Sequence, residues 1–181
     1  MGEDQGRRLP VRKGCSSLVP PARGSSLVFR PSSRLRGASS FVGCEHFMQE
    51  KPLEAKVAIV TGAGRGIGRS IALSLARNGA CVSLAARTEA ELKAVQAEIE
   101  ALGGLAASFP TDISREIEVI SLVHNTVEHF GRLDILVNNA GIGVFGPLVE
   151  TTTEQWDRVM AVNARGPFLL CREAIPYLKQ Q

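Results

Sequence analysis

Much that would point to other classes of protein is missing from this 181-residue sequence. No apolar run approaches the roughly 18 residues of a membrane-spanning helix, so such a span is excluded and no membrane partner is expected. Cysteine is sparse and scattered, at Cys15, Cys44, Cys81 and Cys171, with no CxxC pair. That speaks against a zinc site of the usual spacing and against a disulfide framework. His46, His124 and His129 also lack a metal-ligand spacing, so no metal is expected. Aromatic residues amount to 5%, with a single tyrosine, Tyr177. Neither sign of charge dominates: 21 basic against 18 acidic side chains give a net charge of +3. With 44% hydrophobic and 22% charged residues, the composition is that of an ordinary globular domain.

The charge is unevenly placed. Residues 1–47 hold eight basic and three acidic side chains, together with eight serines, six glycines and four prolines. The remainder is mildly acidic, which gives no reason to expect nucleic-acid binding. Apolar residues in the first segment follow neither the helical nor the strand period. Such a stretch buries too little to offset its ordering entropy, so a disordered basic extension is expected over residues 1–51, ahead of a domain at 52–181. Three readings of the extension compete. It is Arg- and Ser-rich, as transit peptides are, although Glu3, Asp4 and the prolines count against one. A basic tail touching RNA or membrane finds no interleaved aromatics to support it. The favoured reading is a start placed upstream of the natural one, since Met48 and a short polar lead precede the first strand as in many compact domains.

From residue 56 strands and helices alternate. Lys56 to Thr61 is an apolar run ending at glycines, as in a buried parallel strand. Ile67, Ile71 and Leu75 suggest one helix face, ended by Asn78-Gly79. Cys81 to Ala85 is a second strand. Thr88 and Glu91 form the pattern of a capping box for a helix lined by Leu92, Val95, Ile99 and Leu102. A third strand is expected over Ala106 to Phe109, then a helix capped by Ser114 with Ile117, Ile120, Val123 and Val127 inward. Leu133 to Val137 is a fourth strand. Helices follow from about Thr153 and over Phe168 to Leu178, where Pro176 predicts an interruption. Strands joined by such helices predict an α/β fold: a Rossmann-type, doubly wound parallel sheet of order 3-2-1-4.

The turn Thr61-Gly62-Ala63-Gly64-Arg65-Gly66-Ile67-Gly68 joins the first strand to its helix. It does not fit GxGxxG but fits TGxxxGxG. Gly62 suits a sharp turn, Gly66 close approach by a pyrophosphate, and Gly68 tight packing of the helix on the sheet. Gly62, Gly64, Arg65, Gly66, Ile67 and Gly68 are therefore candidate cofactor-binding residues. The second strand ends Ala85-Ala86-Arg87-Thr88, without the acid that suits a ribose 2′-hydroxyl. Arg87, with Arg65, suits a 2′-phosphate instead, which favours NADP(H) over NAD(H).

On these motifs, from about Lys56 to its last residue, the chain resembles the short-chain dehydrogenase/reductase family. The turn TGAGRGIG, Asn138-Asn139-Ala140-Gly141, Thr111-Asp112-Ile113 and Asn163 in Val162-Asn163-Ala164 each match a family motif. The wording is most similar to the 3-oxoacyl-acyl-carrier-protein reductase branch. The resemblance implies that Asp112 and Ile113 hold the adenine, and that Asn139, Ala140 and Gly141 line the nicotinamide ribose. It implies that Asn163 is catalytic, sitting at a helix irregularity and positioning a water. It also implies hydride transfer with a small carbonyl or alcohol substrate and a full-length homo-dimer or homo-tetramer. The expected location is cytoplasmic, or an organelle if residues 1–47 act as a transit peptide.

The family's chemistry also needs a serine and a YxxxK pair. Tyr177 is followed four positions later by Gln181, and no fifth strand follows. The expectation is a C-terminally truncated piece of a reductase, inactive as it stands, with strand four an uncovered edge. The alternative is a non-catalytic nucleotide-binding protein.

Overall fold

Val57-Ala58-Ile59-Val60-Thr61 has no charged or flexible residue and every one of its side chains is buried, so it can only be an interior strand. This is β1 (Val57–Thr61) in the computed structural model, which describes residues 51–181. The readings made of residues 1–50, Cys15 and Cys44 included, lie outside the described residues. β2 (Cys81–Ala86), β3 (Leu105–Pro110) and β4 (Ile135–Val137) complete a parallel sheet of order β3-β2-β1-β4. At its centre Val60 lies opposite Leu84 on one side and Val137 on the other. The expected architecture and strand order are those found.

Alternation along the strands feeds two cores. Val60, Val82 and Leu84 pack beneath α1 (Gly66–Arg77) and α2 (Glu89–Ala101), against Ala72, Leu73, Leu92, Val95 and Ile99. Ile59 and Ala85 point the other way, to Val119 and Leu122 of α3 (Glu116–Phe130) and Leu169 and Leu170 of α5 (Gly166–Leu178). Each such fully buried aliphatic side chain contributes roughly 1.5–3 kcal/mol. A buried polar pair between the sheet and α3 is satisfied. Thr126 Oγ1 donates to Leu122 O at 2.8 Å and meets Ser83 Oγ at 2.7 Å.

The amino edge of the sheet is stapled by Asp134, just before β4. Its side chain is 5% exposed, pairs with Lys56 and Arg132, and accepts from Val57 N at 2.9 Å. Burial pushes this carboxyl up, but the Arg132, Val57 and Lys56 hydrogen bonds outweigh burial and hold it below the ordinary carboxylate value.

Several local expectations are corrected. The buried face of α1 is Gly68, Ala72, Leu73 and Ala76, while Ile67 is 74% exposed. On α3 the inward residues are Val119, Leu122, Val123, Thr126 and Phe130; Ile117 and Ile120 face out. In both helices the true stripe is shifted from the one inferred, because small residues and a threonine share it. Thr88 is at the N-cap position of α2 and Arg115, rather than Ser114, at that of α3, and neither makes a side-chain cap bond. The capping box present is Thr152 with Gln155, opening α4 (Thr153–Met160). β4 spans only three residues. The helix expected over Phe168 to Leu178 is present as α5, with Pro176 inside its last turn. Cys171 is a free thiol. No helix of the described residues is long and apolar enough to cross a membrane.

Candidate functional site

The connections leaving the carboxyl ends of the strands enclose a cavity of about 320 Å³. It lies where the chain, having built β1, β2 and β3 outward in one direction, crosses back to place β4 on the other side of β1. Crevices at such switch points are where open α/β sheets take ligands.

The first wall is the glycine turn. Arg65 precedes α1 in extended backbone and its side chain caps no amide, so the leading N–H groups of α1 carry no side-chain partner. Free amides at a helix N-terminus favour an anion. Gly66 has φ +56° and its missing Cβ faces open space, so a ligand can approach that backbone closely. Gly68 has a different task. A Cβ there would collide with Gly62 O and with Asn139 Nδ2, so its absence lets α1 sit against the sheet.

The same turn is tied to the chain beyond β4. Thr61 is fully buried. Its Oγ1 donates to Val137 O at 3.1 Å and accepts from Asn139 N at 3.0 Å and Ala140 N at 3.1 Å. Asn139 Nδ2 donates back to Thr61 O at 2.9 Å. Asn139, Ala140 and Gly141 thus line the cavity on a backbone that hangs from β1.

The opposite wall carries Thr111, Asp112 and Ile113 after β3. Asp112 Oδ1 accepts from Ser114 N at 3.0 Å and Ser114 Oγ at 2.7 Å. Burial raises its pKa, yet the two Ser114 bonds and the charges of Arg87 and Arg115 prevail and keep it lowered, hence ionised at neutral pH. Glu118 Oε2 accepts from Asp112 N at 2.7 Å, and Arg165 Nη2 donates to Ser114 O at 2.6 Å. Arg65 and Arg87 lie at the third side, both exposed and without ion pairs among the described residues.

Between α4 and α5 the helix widens to a π turn over Ala161–Arg165. Asn163 sits in it and turns its amide to the loop after β4: Nδ2 donates to Ile142 O at 2.8 Å, and Ile142 N donates to Oδ1 at 2.9 Å. Its side chain is committed to backbone, and Ile142 rather than Asn163 lines the cavity.

Of the residues singled out from sequence, Gly62, Gly64, Arg65, Arg87, Asp112, Ile113, Asn139, Ala140 and Gly141 line this one space. Gly66, Ile67, Gly68 and Asn163 do not, though Gly68 and Asn163 buttress it. Sequence reasoning missed the bonding role of Thr61 and the presence of Glu91, Ile142 and Val162 in the lining. A buried threonine at a strand end was the available signal for the first. The rest carried none.

Residues 56–181 match the short chain dehydrogenase family. An uncharacterized oxidoreductase of Thermotoga maritima is 45% identical over 128 residues, which are 71% of this chain and 50% of that protein. A solved metagenomic short-chain oxidoreductase in complex with NADP is 44% identical with a TM-score of 0.68, covering 70% of this chain and 58% of that one. A 3-ketoacyl-ACP reductase from Sinorhizobium meliloti 1021 is 46% identical with a TM-score of 0.67, covering 68% and 49%. The chain spans about half the length of the curated relatives it matches.

Proposed function

The chain belongs to the short-chain dehydrogenase/reductase family, and from that premise we propose that it holds NADP(H) across the carboxyl ends of its strands, as the cofactor-binding part of an oxidoreductase for small carbonyl or alcohol substrates. The observation that carries the cofactor choice is the pair Arg65 and Arg87 on the cavity wall, with no carboxylate ending β2. Guanidinium forks match a 2′-phosphate.

The residues present fit such a cofactor. Uncapped amides opening α1, beside the open space at Gly66, suit a pyrophosphate. The ionised Asp112 suits an adenine amino group, with Ile113 beside it. Asn139, Ala140 and Gly141 suit the nicotinamide ribose, and Asn163 steadies that stretch through Ile142. When bound, the nicotinamide supplies the hydride. The work of this chain is to bind and orient it. Tyr177 has Gln181 four positions on and packs half-buried against the α3–α5 core, so it takes no part in proton transfer in this reading.

The second reading is a nucleotide-binding protein without turnover. The test uses the full chain. Binding titrations with NADPH and NADH are expected to show tighter NADPH binding, and Arg87→Asp to move the preference toward NADH. An unchanged preference overturns the role given to Arg87. Oxidation of NADPH against a panel of carbonyl compounds tests the second reading: turnover overturns it, whereas binding without turnover is what a cofactor-binding part shows by itself and is compatible with both.

A further inference from the structure

Glu91 has the spacing of a capping-box residue, yet Thr88 makes no side-chain cap bond and Glu91 is released from that duty. Its carboxylate lies over the glycine turn instead. A Cβ on Gly64 would stand 2.8 Å from Glu91 Oε2. Glu91 is half-buried and lines the same cavity as Arg65 and Arg87. Among the described residues it has no hydrogen-bond or ion-pair partner. The other acid of the same helical turn, Glu89, behaves differently: it is 62% exposed and pairs with Lys93 at 3.4 Å.

An unpartnered carboxylate and two guanidinium groups line one cavity, so it carries charges of both signs. A 2′-phosphate drawn in by Arg65 and Arg87 meets a like charge at Glu91. Discrimination between two ligands is set by such repulsive groups as much as by attractive ones. We infer that Glu91 is a specificity-determining residue, whose carboxylate opposes a phosphate at the ribose 2′ position and holds down the preference for 2′-phosphorylated ligands that Arg65 and Arg87 create. The inference rests on the cofactor reading above.

The full chain is titrated calorimetrically with 2′,5′-ADP and with 5′-AMP, which differ only in the 2′-phosphate. Glu91→Gln keeps shape and removes charge. It is expected to tighten 2′,5′-ADP about fivefold and to leave 5′-AMP within about twofold, the scale of one like-charge neighbour at partial solvent exposure. Glu89→Gln removes a charge from the same helical turn, away from the cavity, and is expected to leave the ratio of the two affinities as it was. An unchanged ratio in Glu91→Gln, or an equal change in Glu89→Gln, overturns the inference. The ratio in the unsubstituted chain and in Arg87→Asp reports separately on the cofactor reading. Binding of neither nucleotide overturns both.

Discussion

Asn163 and Ile142, 21 residues apart, are joined by two hydrogen bonds, from Asn163 Nδ2 to Ile142 O at 2.8 Å and from Ile142 N to Asn163 Oδ1 at 2.9 Å. One side-chain amide thus satisfies both backbone polar groups of one residue. It ties the π turn to the cavity wall. Asn163→Ala is expected to lower stability by about 1 kcal/mol. Amide hydrogen exchange at Ile142 is expected to speed up while that of β1 stays protected. Unchanged exchange at Ile142 would show that the loop is held by something else.

Thr61 fixes the other end of that wall. Thr61→Val keeps the shape and leaves the N–H groups of Asn139 and Ala140 without their acceptor. The expected cost is about 3 kcal/mol, with weaker NADPH binding. Thr61→Ser keeps the oxygen and is expected to retain most of both. Thermal melts with a parallel binding titration check it. Equal losses in the two variants would point to the methyl group instead.

Two glycines of one turn are expected to fail in different ways. Gly68→Ala forces a Cβ into Gly62 O and Asn139 Nδ2, and is expected to destabilise the fold by about 1–3 kcal/mol. Gly66→Ala meets open space, so only its φ of +56° opposes the change, at a cost of about 1 kcal/mol. In the proposed cofactor reading its larger effect is expected on NADPH affinity, because a pyrophosphate at the amides opening α1 would meet the added Cβ. Melting temperature and dissociation constant, measured on both variants, are expected to separate the two.

Acid sensitivity follows from Asp134. Its carboxyl is held below the ordinary value in the folded chain. A carboxylate of lowered pKa stabilises the fold fully above the unfolded-state value of about 3.9, and that stability is lost as pH falls through the lowered folded value. Asp134→Asn is expected to reduce stability at neutral pH and to flatten its fall on acidification. Some slope is expected to persist, since Asp112 is lowered as well. Urea unfolding at pH 7 and in the acid range measures this. An identical acid slope in Asp134→Asn would remove Asp134 from the account.

Short-range features read correctly from the sequence. The all-buried Val57–Thr61 run, the glycines that follow, and the repeated strand–helix spacing suffice for a parallel sheet covered by helices. Each rests on a residue and its neighbours within a turn or a pleat. The glycine turn is legible for the same reason. Its roles are backbone roles, and glycine marks them directly.

Helix faces were less legible. Ile67 and Ile117 have the right period and face out, while Gly68, Ala72 and Thr126 face in. Period locates a stripe only to within a residue when small side chains share it. Where a helix meets a sheet closely, smallness counts for more than hydrophobicity. The tertiary structure also decided that Glu91 leaves its cap to overlook Gly64, and that Asn163 spends its amide on Ile142. Thr61 and Asn139 stand 78 positions apart, and nothing local to either announces the bond between them. The sequence by itself determined which elements form and in what order, because those choices are settled within a few residues. The tertiary structure decided which side chains meet across the cavity, because those contacts exist only once β4 has come to lie against β1.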